Sequence, residues 1–270
     1  MVMEKNTRKL FFAFEIETIW IDNFKNASVV DKKNRHLTLL FLGENDLNEI
    51  KKQLDLMPKL NLLLGSCGYF DKPFFLPKNN SRVAAYNAIF LEDNAKIENY
   101  QKNLYSFFLK EEFNLKNEKD FLPHITILRK DFEKKEFEKQ FKQTPFYLKS
   151  FNLYESLFHS NYKALWKMDY LAPFIELKHT ADIAFEVRGK DFDSLLLHSF
   201  IALCFKEFKL LKYKKNLKKV SSIDDIIIDL NEILTLMEID GYQASFKAIS
   251  FNQKNWVKDN IIYWEMVIDV

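Results

Sequence analysis

The hydrophobic pattern divides the first part of the chain into strand-length and helix-length segments. Two mostly apolar runs, RKLFFAFEI at 8–16 and RHLTLLFLG at 35–43, predict buried strands, and Gly43 is expected to end the second. Apolar residues at helical spacing predict helices over 45–57, 94–113 and 132–143. Further strands are predicted over 60–70, 81–91, 123–129, 146–158 and 164–171, with a loop over 71–80.

The pattern restarts after residues 171–174, where a break is expected. The length of 270 residues indicates roughly two domains at about 150 residues each. We therefore predict an α+β protein with one domain over 1–172 and a smaller one over 173–270. The second would contain strands over 174–189 joined by a turn, helices over 191–208 and 221–240, and strands over 242–251 and 260–270.

The composition is that of a globular protein, with 47% hydrophobic and 29% charged residues. A formal net charge of +2 excludes a strong overall attraction for polyanions, so any nucleic-acid contact must be a local site. The basic run KLLKYKKNLKK at 209–219 is interpreted as a solvated connection, with an RNA-contacting role as the alternative. No signal peptide or membrane span is evident, so a cytoplasmic location is expected.

Two cysteines, Cys67 and Cys204, lie far apart in the sequence and form no CxxC pair. This spacing indicates neither a disulfide framework nor a zinc site. Cys204 lies in an apolar helical run and is expected to be buried as a small hydrophobe. His198 in the same run is interpreted as an ordinary residue on a helix face.

The same polar pair, histidine and threonine with one residue between them, occurs in two predicted strands. His36 and Thr38 form the first pair, and His124 and Thr126 the second. Side chains alternate faces along a strand, so each pair shares one face while the intervening aliphatic residues pack on the other. One such pair alone is more often structural. Two in matching contexts predict a common polar patch on neighbouring strands.

Two imidazoles and two hydroxyls suit the hydrolysis of a cyclic phosphodiester. One group must take a proton from water, and another must protonate the departing sugar oxygen on the far side of phosphorus. Histidine can do either near neutral pH, and threonine hydroxyls can donate to the non-bridging oxygens. No metal or other cofactor is required for this reaction, because the base alone activates the water.

The first part of the chain resembles the 2H phosphoesterase superfamily, in particular the RNA 2′,3′-cyclic phosphodiesterases, also called 2′-5′ RNA ligases. The resemblance rests on five ordered segments: RKLFFAFEI, HLTLLFLGE, GYF at 68–70, FLPHITILR and LYES at 153–156. It implies a bilobal fold in which the two HxT strands line a central cleft. It also implies that RNA ends with a 2′,3′-cyclic phosphate are opened to a 2′-phosphate, with 2′-5′ ligation as a further activity.

By the same resemblance, each site residue has a role. His124 would activate the water, His36 would protonate the 3′ oxygen, and Thr38 and Thr126 would hold the phosphate. Arg129 would bind a phosphate or an adjacent nucleotide, although a surface arginine at a strand end is an equal alternative.

The second part resembles archease, the small protein that activates RtcB-type RNA ligases. The matching segments are KHTADIAFEVRG at 178–189, IDDIIIDLNEIL at 223–234, FKAISF at 246–251 and WEMVIDV at 264–270. The resemblance implies a divalent cation, Ca²⁺, Mg²⁺ or Mn²⁺, held by Asp182, Asp269 and the α-carboxylate of Val270. Three carboxylates together require such a cation, and oxygen ligands favour these ions over zinc. The alternative is that the two aspartates lie in ordinary turns.

Three functions remain open at this point. The first is a cyclic phosphodiesterase that carries a ligase-activating domain, with a role in RNA repair or tRNA splicing. The second is a non-catalytic cofactor of an RNA ligase that uses the HxT cleft to bind RNA ends. The third is a phosphodiesterase for another small cyclic nucleotide. None of them requires DNA or a membrane as a partner.

Overall fold

A computed structural model of the protein describes residues 6–21, 24, 28–115, 121–178, 182–252 and 254–270. The α+β class is confirmed, because helices and antiparallel sheets both make up the described chain. None of the helices in these ranges combines the length and the apolar composition needed to cross a bilayer.

The first part of the chain forms a barrel-like sheet. Six strands close into a ring in the order β1-β3-β6-β5-β4-β7, with β7 pairing back to β1, while β2 pairs with β6 and β8 with β7. These strands are β1 Thr7–Thr18, β2 Ser28–Val29, β3 Leu37–Asp46, β4 Cys67–Leu76, β5 Val83–Phe90, β6 His124–Arg129, β7 Pro145–Ser156 and β8 Tyr162–Asp169. Three helices belong to this part: α1 Leu47–Gln53, α2 Asn94–Lys110 and α3 Lys134–Gln140.

The second part is a smaller sheet with two helices. Its strands run in the order β11-β13-β10-β9, and β12 also pairs with β13. A capping box at Asp191 begins α4, and the Ser222 hydroxyl accepts from the amide of Asp225 to begin α5. The elements are β9 Phe174–Leu177, β10 Ile183–Gly189, α4 Phe192–Lys206, α5 Ile223–Ile239, β11 Ala248–Ile249, β12 Asn255–Lys258 and β13 Ile261–Asp269.

Two apolar clusters form the core, and they do not divide at the predicted domain boundary. The first fills the ring and the space under its helices. The second surrounds α4 and α5, and it includes Cys67 and Tyr69 of β4. The ring sheet therefore contributes side chains to the core of the C-terminal part, and the boundary at 172/173 stays a prediction.

Four predictions of strand extent need correction. The strand predicted over 60–70 begins only at Cys67. The second strand does not end at Gly43, which adopts φ +79° within β3, and pairing continues to Asp46. The predicted loop over 71–80 begins as strand, because β4 resumes pairing at Pro73 after a register shift. Only Ala248–Ile249 of the strand predicted over 242–251 pairs with β13.

One further prediction in the C-terminal part needs correction. The basic run at 209–219 is not a purely solvated connection, because 208–216 forms a 3-10 helix that buries Leu210 and Leu211. His198 lies in α4, as predicted, and its side chain is fully buried. Cys204 is buried, as predicted.

Candidate active site

The two HxT segments are neighbours in the sheet ring. Leu37 of β3 pairs with Ile125 of β6 in an antiparallel register, and both side chains are fully buried. Because side chains alternate faces along a strand, the residues on either side of this pair share the opposite face. The structure therefore brings four partly exposed side chains to one face: His36, Thr38, His124 and Thr126.

Each threonine lies beside a matching irregularity in the sheet. Thr38 pairs with Ala13 of β1, and the register shifts immediately before Ala13. Thr126 pairs with Ala85 of β5, and the register shifts immediately before Ala85. Irregularities of this kind bend a strand and redirect a side chain, and an alanine opposite leaves the hydroxyl uncovered. The two halves of the site thus present their threonines in the same way.

The two histidines are also held in the same way. Nδ1 of His36 donates to the carbonyl of Asn34 at 2.9 Å, and Nδ1 of His124 donates to the carbonyl of Leu122 at 2.7 Å. A carbonyl only accepts, so the proton of each neutral ring is fixed on Nδ1. Nε2 of each ring is then unprotonated and free to accept a proton from a bound molecule.

Burial lowers the pKa of both imidazoles. Removal from water disfavours the charged ring and lowers the pKa of His36 from 6.5 to about 4. The charges of Arg129 and His124 act in the same direction, and the bond to Asn34 opposes them. The pKa of His124 is lowered by burial and then by Arg129. Both rings are therefore uncharged near neutral pH in the free protein.

Arg129 lies at the site, where sequence reasoning left it undecided between site and surface. Its charge acts on both histidines, and its Nη2 donates to the hydroxyl of Tyr162 at 3.3 Å. Its Nε is buried and makes no hydrogen bond to the described part of the chain. A guanidinium with a spare donor beside two neutral imidazoles suits an anionic ligand.

Aromatic rings enclose the histidines, and sequence reasoning missed them. His36 lies 4.6 Å from the ring of Tyr162, 4.8 Å from Phe11 and 5.7 Å from Tyr154, measured between ring centroids. Phe74 meets His124 edge-on at 5.4 Å. Phe11 lies two positions before Ala13 on β1, so strand alternation was a signal that could have placed it on the site face.

The predicted cation ligands gather at one end of the second sheet. Ile183 pairs with Ile268 in an antiparallel register. Asp182, just before β10, and Asp269, the last residue of β13, therefore lie at the same end of the sheet. The Ser250 hydroxyl donates to Asp269 Oδ1 at 2.5 Å, and Lys247 Nζ lies 2.8 Å from the Val270 carboxyl oxygen. Oxygen atoms are the donors that a hard cation prefers. The Lys247 ammonium already neutralises the Val270 carboxylate. Residues 179–181 of the HTAD segment lie outside the described residues.

No family model and no curated protein matches the chain. E. coli LigT complexed with 3′-AMP is similar at 22% identity, over 61% of this chain and 98% of LigT, with a TM-score of 0.45. The protein TT0787 of Thermus thermophilus is 20% identical, over 61% of this chain and 98% of its own, at 0.44. A protein described as a phosphoesterase is 20% identical, over 61% and 99%, at 0.41. All three TM-scores lie below 0.5, so none of these likenesses assigns a function to the chain.

Proposed function

We propose that the chain is a phosphodiesterase that opens 2′,3′-cyclic phosphate ends of RNA to a 2′-phosphate by two-histidine acid–base catalysis. The observation that carries the proposal is the matched presentation of His36 and His124. Each ring is anchored through Nδ1 to a carbonyl two residues earlier, and each directs its Nε2 away from that anchor on the shared face.

The reaction needs one neutral and one protonated imidazole. Nε2 of His124 takes a proton from water, the water oxygen attacks phosphorus, and the bond from phosphorus to O3′ breaks. Nε2 of His36 gives its proton to O3′, which leaves a 3′-hydroxyl and a 2′-phosphate. Proton exchange with solvent then restores both rings. The assignment of base to His124 and acid to His36 follows the resemblance to the 2H phosphoesterases.

The free protein supplies the base directly and the acid only after binding. Both rings are uncharged near neutral pH, because burial lowers their pKa values. An anionic phosphodiester next to His36 favours its charged form and raises its pKa. Arg129 and the hydroxyls of Thr38 and Thr126 donate to the non-bridging oxygens as negative charge develops there.

End-group analysis of an oligonucleotide with a 2′,3′-cyclic phosphate tests this proposal. We expect a 2′-phosphate product without added divalent metal. His36→Asn and His124→Asn should each lower kcat by about 10²–10⁴-fold, the usual contribution of an acid or base. Asp182→Ala, in the other sheet, should retain cleavage. Full activity in both histidine variants, or no cleavage by the native chain, contradicts the proposal.

The natural substrate class is decided by competition. We expect an RNA end with a cyclic phosphate to outcompete small cyclic nucleotides, since the half-buried rings of Tyr154, Tyr162 and Phe74 beside the histidines are ones on which an adjacent base can stack. Stronger inhibition by a cyclic mononucleotide would favour the small-nucleotide alternative.

The predicted role in activating an RtcB-type RNA ligase, and the cation at Asp182, Asp269 and Val270, stay predictions. Asp182 and Asp269 lie at one sheet end, which is the observation that favours them. Faster guanylylation of such a ligase in the presence of the chain, lost in Asp182→Ala and retained in His124→Asn, would separate this role from the phosphodiesterase. An unchanged ligase rate would exclude it.

A further inference from the structure

A group of metal-binding side chains lies where α4 packs against the sheet ring. Cys67 of β4, Glu92 after β5 and His198 of α4 each place a ligand atom within 4.8 Å of the other two. Cys67 and His198 are fully buried, and the Glu92 side chain is 18% exposed. In the chain as described, no other three histidine, cysteine or acidic residues come this close together.

The hydrogen bonds of His198 require a proton or a cation beside its ring. Nδ1 lies 2.5 Å from the carbonyl oxygen of Arg188, and Nε2 lies 2.9 Å from Oε1 of Glu92. A carbonyl and a carboxylate only accept, so a neutral ring with an ionised Glu92 satisfies one contact and leaves the other repulsive. Either a proton or a metal ion must therefore lie between Nε2 and Oε1.

The surroundings of His198 are those of a metal ligand. A histidine that binds a metal through one ring nitrogen usually donates from the other to a carbonyl, as Nδ1 does here to Arg188. The amide of Cys67 donates to Oε1 of Glu92 at 3.0 Å, which fixes the carboxylate. Sulfur, nitrogen and oxygen donors together are a set that Zn²⁺ binds at about 2.0–2.3 Å.

Asp93 lies near the cluster but is not one of the three residues whose ligand atoms come within 4.8 Å of one another. Oδ2 of Asp93 is buried without a hydrogen bond to the described residues, and Lys190 Nζ lies 4.0 Å away. Asp93 precedes α2 with φ +54°, yet its side chain does not cap that helix. Its charge acts on Cys67, so it lies near the same group. The Lys190 ammonium is its ion-pair partner, so Asp93 adds negative charge beside the cluster.

We propose that Cys67, Glu92 and His198 bind one zinc-type transition-metal ion, with water as the fourth ligand. The ion links the sheet ring to α4 of the C-terminal part. Binding releases the thiol proton of Cys67 and the proton between His198 and Glu92 to solvent. This ion is separate from the hard cation predicted at Asp182 and from the HxT reaction.

Cobalt substitution tests the sulfur ligand. Protein freed of metal by chelator dialysis is titrated with Co²⁺, and we expect a sulfur-to-cobalt charge-transfer absorption that saturates at one ion per chain. Cys67→Ser should lose the absorption, and Cys204→Ser, which alters the other buried cysteine, should keep it. An ion at the oxygen ligands Asp182 and Asp269 gives no such absorption.

Thermal unfolding with Zn²⁺ gives an independent measurement. At about a hundredfold excess over Kd, we expect Tm to rise by about 5–10 °C in the native chain and in Cys204→Ser, and not in Cys67→Ser or His198→Gln. The proposal is overturned if saturating Co²⁺ produces no charge-transfer absorption in the native chain. It is also overturned if Cys204→Ser alone removes the absorption. In the first case a proton alone joins His198 to Glu92.

Discussion

At the scale of the residue, the environment of the two HxT histidines determines the pH at which they act. Both pKa values are lowered from 6.5, mainly by burial, and that of His36 to about 4. The base is available once pH exceeds its own pKa, whereas the acid loses its proton as pH rises through its pKa. Lowering both values moves the range in which one ring is neutral and one protonated to the acid side.

The pH profile of kcat/KM follows from this shift. Since kcat/KM reports the free protein, we expect it to decline as pH rises through about 4, the pKa of the free His36 acid. The profile of kcat should extend to higher pH, because bound phosphate raises the pKa of the acid. Steady-state kinetics across pH 4–9 measure both. A kcat/KM that stays level up to about pH 6.5, the ordinary pKa of histidine, would show that the pKa values of the free rings are not lowered.

Tyr162 positions Arg129, and a single hydroxyl carries that contact. Tyr162→Phe keeps the ring against His36 and removes the acceptor, so we expect kcat/KM to fall about 3–10-fold, the loss of one hydrogen bond of roughly 1 kcal/mol. Tyr154→Phe changes a hydroxyl on the neighbouring ring and is the matched control. Equal losses in the two variants would mean that the contact with Arg129 is not responsible.

The sequence pattern identified the HxT residues as a site, and it gave no sign of the cluster of Cys67, Glu92 and His198. The HxT pairs are visible in the sequence because strand alternation assigns each pair to a face, and only the pairing of Leu37 with Ile125 had to be supplied by the fold. Cys67, Glu92 and His198 share no spacing, because they come from β4, a turn and α4. Such a cluster depends on long-range packing, which local periodicity does not encode.

At the scale of the element, apolar periodicity predicted most strands and helices, and turn signals misplaced their ends. The residues DKP at 71–73 are typical of a loop. The register shift before Pro73 nevertheless lets β4 continue past this residue, which has no amide donor. The strand expected over 242–251 is short because Phe246 is buried outside the sheet, by packing rather than by pairing. A segment buried by packing and a segment buried in a paired strand show the same hydrophobic pattern in the sequence.

The entry to β4 depends on a close backbone approach at Gly65. A Cβ there would lie 1.9 Å from the carbonyl oxygen of Leu148, and the Gly65 amide donates to Leu171. Because the obstacle is backbone, Gly65→Ala should lower the free energy of unfolding by about 3 kcal/mol, the upper end for overpacking. Denaturant unfolding measures the change.

Gly241→Ala is the control for this substitution. Gly241 has φ +78° and open space around the added carbon, so only backbone strain of about 1 kcal/mol is expected. If Gly65→Ala were no more destabilising than Gly241→Ala, the approach to Leu148 would have to relax at little cost.

At the scale of the whole molecule, the sequence predicts two modules in series, and the structure joins their cores. Cys67 and Tyr69 of the ring belong to the cluster around α4 and α5, and Tyr147 stacks edge-on with Phe174 of β9. Oε1 of Glu92 lies 2.9 Å from Nε2 of His198 across the same junction. A boundary read from the sequence marks where the pattern restarts, whereas the cooperative unit is set by which side chains share a core.

Cutting the chain at the predicted boundary should therefore damage the first part. In residues 1–172 alone, Cys67 and Tyr69 would lose apolar cover, and the Glu92 carboxylate would lose its partner His198. We expect the full chain to unfold in one transition and the fragment to unfold at a lower temperature, with exposed apolar surface that binds hydrophobic dyes. Calorimetry of both proteins provides the comparison. Two separate transitions in the full chain, one of them matching the fragment, would show instead that the ring is stable by itself and that the shared core contributes little.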